Sequence, residues 1–203
     1  VKKSGADLKY ASDELRADRK VVLEAIKSDV EALGYASEEL RADREVVLEA
    51  VKSSVEAFKY ASEELRADRE FMLQAAKNNG VVLAYAADEL CSDREIVTVA
   101  ATAHGQREER DIWFYDALRR SISGSDLQHD KEFILELVKL DGMNLSCASE
   151  ELRADREVVL AAVMQFDQSL QCASEELQND QELIAIAEKP NGKTSGGWMR
   201  VEC

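Results

Sequence analysis

Between positions 33 and 51 the apolar residues fall into two helical registers separated by a short polar break. Leu33, Ala36 and Leu40 stand at i, i+3 and i+7, which puts them on one face and predicts a first helix of about three turns. Val47, Ala50 and Val51 stand at i, i+3 and i+4 and predict a second helix from Arg44 to Lys52. Ala42 and Asp43 then form a tight turn. Asp43 is placed as the N-cap of the second helix, where its carboxylate accepts from orphan backbone N–H groups and favours the positive end of the helix dipole. Loss of such a cap costs roughly 1 kcal/mol.

The pattern returns every 25 residues. Its leucine recurs as Leu15, Leu40, Leu65 and Leu90, then as Leu127, Leu152 and Leu177. An aspartate follows each leucine by three: Asp18, Asp43, Asp68, Asp93, Asp130, Asp155 and Asp180. An acidic residue precedes each: Glu14, Glu39, Glu64, Glu89, Asp126, Glu151 and Glu176. The step from Leu90 to Leu127 is 37 residues, so 12 are inserted there. Val1 aligns with Ile26 and Val51, so the sequence opens inside a unit and further chain upstream is expected. A cleaved targeting peptide, a polyprotein or a disordered start would each supply it.

Helices shorter than about 12–15 residues are marginal alone in water, so each unit must lean on its neighbours. The expected fold is therefore all-α, an α-solenoid of tandem 25-residue helix-turn-helix repeats. The expected organisation is repeats over 1–104, an aromatic helical insertion over 105–126, further repeats over 127–189 and a flexible or docking tail over 190–203. The small pair Ala36 and Ser37, with Ala11, Ser12, Ala61, Ser62, Ala148 and Ser149, marks where adjacent units approach closely. The aromatic position Tyr10, Tyr35, Tyr60 and Tyr85 becomes Cys147 and Cys172, which read as packing residues.

The insertion carries Trp113, Phe114 and Tyr115 together and ends in a Ser/Gly loop. Two readings stand: the aromatics plug the core beside a longer helix, or they anchor a partner on the face where solenoid insertions emerge. In the tail, Pro190, Gly192, Gly196 and Gly197 stop the helical pattern, and Trp198 and Met199 form an apolar pair suited to docking on the last repeat or on a partner. Trp113, Phe114, Tyr115, Trp198 and Met199 are accordingly the candidate partner-binding residues.

A net charge of −15 repels nucleic-acid phosphates and anionic headgroups. No apolar run approaches the roughly 20 residues of a membrane-spanning helix. Cys91, Cys147, Cys172 and Cys203 form no CxxC pair, so free thiols are the default. His104 and His129 lie far apart in sequence, and neither a phosphate-binding glycine loop nor an HExxH is present. The recurring carboxylates repeat with the fold period, as caps do and as a catalytic pair does not. No catalytic, cofactor-binding or metal-ligating residue is assigned. Arg16, Arg41, Arg66 and Arg153, with the second series Arg19, Arg44, Arg69, Arg94 and Arg156, form ladders. Their near-invariance speaks for a solvated face paired with the acidic ladder, and against an RNA code that needs variation at its reading positions.

The unit YASEELRADREVVLEAVK resembles a repeat family known only as a domain of unknown function, common in dinoflagellates and other protists and found in some bacterial effectors. The resemblance is strong at the cores of Leu15, Leu40, Leu65 and Leu152, weaker at Leu90 and Leu177 and poor at Leu127. It implies tandem short helices and an interaction role, and it supplies no catalytic residue. The family's expansion in algae with plastids suggests a peripheral subunit of an organellar assembly such as a photosystem, associated with the thylakoid. The expected function is thus a non-catalytic scaffold that binds and stabilises protein neighbours. The alternative is a transient regulatory adaptor or targeting module of a larger, upstream-fused protein.

Overall fold

A computed structural model describes residues 5–105 and 112–188. They form two compact units, Val1–Ala103 and His104–Cys203, each a stack of all-helical repeats.

In the first unit every repeat has three helical pieces. A six-residue 3-10 helix comes first, at Gly5–Tyr10, Val30–Tyr35, Val55–Tyr60 and Gly80–Tyr85. A one-turn α-helix and a longer one follow: α1 (Asp13–Arg16) with α2 (Arg19–Ser28), α3 (Glu38–Arg41) with α4 (Arg44–Ser53), α5 (Glu63–Arg66) with α6 (Arg69–Asn78), and α7 (Asp88–Cys91) with α8 (Arg94–Gly105). The second helix of the unit is as its periodicity predicts, with Val46, Val47, Ala50 and Val51 buried. Successive long helices pack on one another, α2 on α4 and α4 on α6, and the 3-10 helices stack in the same order.

The first helix departs from the expectation. Leu33, Ala36 and Leu40 are all buried, but the helix between them is broken: Ala36 and Ser37 are extended, with ψ of 161° and 158°. The break has a physical cause. Ser37 turns its N–H out of the helix and donates to the carbonyl of Arg16 in the preceding repeat at 2.9 Å. Its Oγ accepts from Leu40 N–H and starts α3. The bond recurs from Ser62 to Arg41 at 2.9 Å and from Ala87 to Arg66 at 3.2 Å. The small Ala-Ser pair is therefore the point of close approach, and a continuous helix would forfeit an inter-repeat backbone bond in every unit.

The seven aspartates that follow the recurring leucine all cap their helices. Asp18, Asp43, Asp155 and Asp180 accept from two backbone N–H groups each, Asp93 does the same, and Asp68 and Asp130 accept from Phe71 and Phe133. A second set of caps stands at the 3-10 helices. Asp29, Ser54, Asn79 and Asp141 each accept from the backbone two residues on and start the 3-10 helices.

In the second unit α9 (Ile112–Ile122) is an eleven-residue α-helix in the place of a 3-10 helix. A 3-10 turn, Asp126–His129, replaces the one-turn α-helix around Leu127, which accounts for the poor motif there. Then come α10 (Lys131–Leu140), the 3-10 helix Gly142–Cys147, α11 (Glu150–Arg153), α12 (Arg156–Gln165), the 3-10 helix Asp167–Cys172, α13 (Glu175–Gln178) and α14 (Gln181–Ala187). Here too Ser149 donates to the Gln128 carbonyl and Ser174 to that of Arg153, at 2.9 and 2.8 Å.

Candidate interaction surface

Helix α9 sorts its aromatic residues by face. Phe114, Tyr115, Ala117, Leu118, Ser121 and Ile122 are buried, and the helix packs against Gly142–Cys147. Phe114 stacks on the buried His104 ring, with centroids 3.9 Å apart and planes 13° from parallel. Tyr115 meets the same imidazole edge-on at 5.3 Å, and its hydroxyl donates to Asp141 Oδ2 at 2.8 Å. Burial therefore removes Phe114 and Tyr115 from the candidate contact residues, because their rings fill the space beneath the longer helix. Trp113 points the other way and is 72% exposed. Ile112 beside it is 51% exposed. Trp198 and Met199 lie outside the described residues.

The outward face of α9 continues from Trp113 through the half-buried Asp116 to the exposed Arg119 and Arg120. Arg119 pairs with Asp116 at 3.4 Å, and Arg120 Nε donates to the Asp116 carbonyl at 3.2 Å. The face is thus apolar at its first turn and basic at its last. Exposed apolar groups also stand at Leu140 and Met164, near the C-terminal ends of α10 and α12, which pack together. Asp141, next to Leu140, is the residue that holds the Tyr115 hydroxyl.

In the arginine series that begins at Arg19, Arg19, Arg44, Arg69 and Arg156 are held by carboxylates of the following repeat. Arg19 reaches Asp43 at 3.0 Å and Glu45 at 2.5 Å; Arg69 reaches Asp93 at 2.7 Å and Glu95 at 2.6 Å. Arg44 pairs with Asp68 and with Glu70. In the second unit Lys131 takes the arginine's place on Asp155 and Glu157, at 2.7 and 2.8 Å, and Arg156 pairs with Asp180 and Glu182. One aspartate therefore both caps its own helix and grips the preceding repeat. The Arg69 hydrogen bond, ahead of other causes, holds the Asp93 carboxyl below its ordinary range, and Lys131 does the same at Asp155. At Asp68 and Asp180 the leading cause is the cap itself, the N–H of Phe71 and of Leu183. In the other series Arg16 pairs with Asp13 and Arg66 with Glu63 on the same turn.

Little else in the described residues offers chemistry. His104 is buried in the aromatic stack, and His129 stands 3.8 Å from Glu151 on the surface. No group of three His, Cys, Asp or Glu side chains is arranged to hold a metal ion among the described residues. Burial pushes the Cys147 thiol up to about 12, which leaves it protonated and unreactive at neutral pH. Cys91 and Cys147 are thiols as expected, and Cys203 lies outside the described residues. A shallow groove beside Arg69, Asp93, Glu95 and Thr98 lies along the ladder, where Arg69 and the two carboxylates already satisfy one another. No described helix is long and apolar enough to cross a membrane.

The pattern of repeats is matched by a family model described as a domain of unknown function (DUF4116), over residues 1–41, 18–66, 43–90, 68–106, 130–178 and 155–189. These matches leave out residues 107–129, which contain α9. No curated protein and no solved structure gives a significant match.

Proposed function

The chain belongs to the DUF4116 family of tandem repeats, and from that premise we propose that it is a non-catalytic scaffold, a peripheral subunit that binds and stabilises a larger protein assembly. The observation that carries this reading is the exposed Trp113 on α9, a helix whose opposite face is fully buried. Tryptophan at 72% exposure leaves a large apolar surface in water. Partner contacts concentrate their energy in such aromatic anchors, flanked by polar and charged residues that here are Asp116, Arg119 and Arg120. The repeats on either side in sequence serve as the rigid mount, and the insertion is where this chain differs from its own repeat. An organellar assembly of photosystem type is the concrete case suggested by the sequence resemblance.

Two substitutions on adjacent residues test the reading. Trp113→Ala is expected to weaken co-purification with the assembly by about 2 kcal/mol or more, roughly 30-fold, while the melting temperature stays near wild type. Phe114→Ala, one position on, is expected to cost about 3–5 kcal/mol of stability. Loss of stability on Trp113→Ala, with binding unchanged per folded molecule, would place Trp113 in the core and sink the proposal.

A further inference from the structure

Helix α9 runs into the loop Ser123-Gly124-Ser125 before the 3-10 turn Asp126–His129. Three serines stand at this end of the helix and differ in what they face. Ser121 is buried. Ser125 donates its hydroxyl to the Ile122 carbonyl at 2.7 Å. Ser123 is exposed, and its hydroxyl makes no hydrogen bond among the described residues. Only its backbone is held, the N–H donating to the Arg119 carbonyl at 2.9 Å. Gly124 follows with φ of 79°, and nothing lies within 4 Å of where its Cβ would stand. The Ser123 hydroxyl therefore sits at a loop tip that is open to an approaching macromolecule.

Arg119 and Arg120, both exposed, precede Ser123 by four and three residues. Ser123 is the only serine of the sequence with an arginine three positions before it. On a helical turn, positions three and four apart share a face, so Arg119, Arg120 and Ser123 leave the helix end on one side, the two arginines turned back onto Asp116, while Ile122 stays buried. We propose that Ser123 is a phosphorylation site for an arginine-directed serine kinase, one whose substrate groove carries carboxylates that take Arg119 and Arg120.

In that reaction Ser123 Oγ attacks the γ-phosphorus of a nucleoside triphosphate. The Oγ–P bond forms, the bond from the γ-phosphorus to the bridging oxygen breaks, the nucleoside diphosphate leaves, and the hydroxyl proton passes to the kinase's base. The product carries about −1.5 to −2 charges near neutral pH and three strong acceptor oxygens. It competes with Asp116 for Arg119 and Arg120 and offsets their charge, taking the last turn of α9 from basic to near neutral. On the reading of α9 as the contact helix this change alters partner binding; the modification itself stands without that reading.

The test incubates the full chain with the catalytic domain of an arginine-directed serine kinase and magnesium ATP, and maps phosphate by mass spectrometry. The expected result is one phosphate, on Ser123. It is absent in Ser123→Ala, unchanged in Ser125→Ala, and slowed about tenfold or more in the Arg119→Gln, Arg120→Gln double variant. Circular dichroism of Ser123→Ala, expected to melt with the wild type, ties loss of phosphate to the site rather than to the fold. No incorporation, incorporation on another residue, or a rate indifferent to the two arginines overturns the proposal.

Discussion

The repeated aspartate carries more of this structure than its size suggests. At Asp93 and Asp155 one carboxylate closes two backbone N–H groups of its own helix and also binds a cation of the preceding repeat. Its charge is therefore stabilised twice. The folded-state pKa values of Asp68, Asp93, Asp155 and Asp180 all lie below the ordinary carboxylate value. With an unfolded value near 3.9, the stability they contribute is fully present above that pH and is lost as pH falls through the folded values. Relief of self-repulsion runs the other way as pH drops from 7 towards the pI of about 4.6. The melting temperature is therefore expected to change little down to about pH 5 and to fall steeply below about pH 4. A melting temperature that holds to pH 2 would contradict the dual role. The cap half of that role was legible from Asp43 and its six equivalents, because a lone aspartate before an apolar stripe has few other uses. The grip half was legible only as a pairing of ladders. Which arginine meets which aspartate depends on the offset between stacked repeats, which no single repeat contains.

At the scale of the element, the instructive case is the broken first helix. Leu33, Ala36 and Leu40 fit one helical face, and a 3-10 helix followed by a single α-turn buries the same three residues. Periodicity alone cannot separate the two, and the choice is made by the bond from Ser37 to the neighbouring repeat. Ser62 allows this to be tested without straining the backbone. Its φ of −60° and ψ of 155°, and the extended Ala61 before it, suit proline. Ser62→Ala removes the side-chain cap to Leu65 and the hydrogen bond to Glu64 and leaves the backbone N–H in place. Ser62→Pro removes the cap and also the N–H that donates to the Arg41 carbonyl. The proline variant is expected to be less stable than the alanine variant by about 1 kcal/mol in denaturant melts, despite the entropy that proline removes from the unfolded chain. Equal or greater stability would show that the inter-repeat bond contributes nothing. In α9 the sequence held more than was read from it. Phe114, Leu118 and Ile122 at i, i+4 and i+8, flanked by Tyr115, define an inward stripe that Trp113 falls outside.

For the whole molecule, each unit is a one-dimensional stack in which neighbouring repeats are joined by apolar packing, by the recurring backbone bond that Ser37 makes to Arg16 and by the cation-to-carboxylate grip. Such a stack is a rigid mount, and departures from its repeat are the natural places to look for function. The period, the helical class and the location of the insertion were all written in the recurrence of Leu15 through Leu177. The outward direction of Trp113 needed the fold, because burial is a property of α9 against the 3-10 helix Gly142–Cys147. The scaffold reading is tested most directly by the native mass at which the protein migrates in a gentle extract, compared between wild type and Trp113→Ala. The account predicts that the wild type travels with a large complex and that the variant, still folded, runs as a free particle at about the mass of its own chain. A wild-type chain that itself runs free, or a variant that stays with the complex, would contradict it.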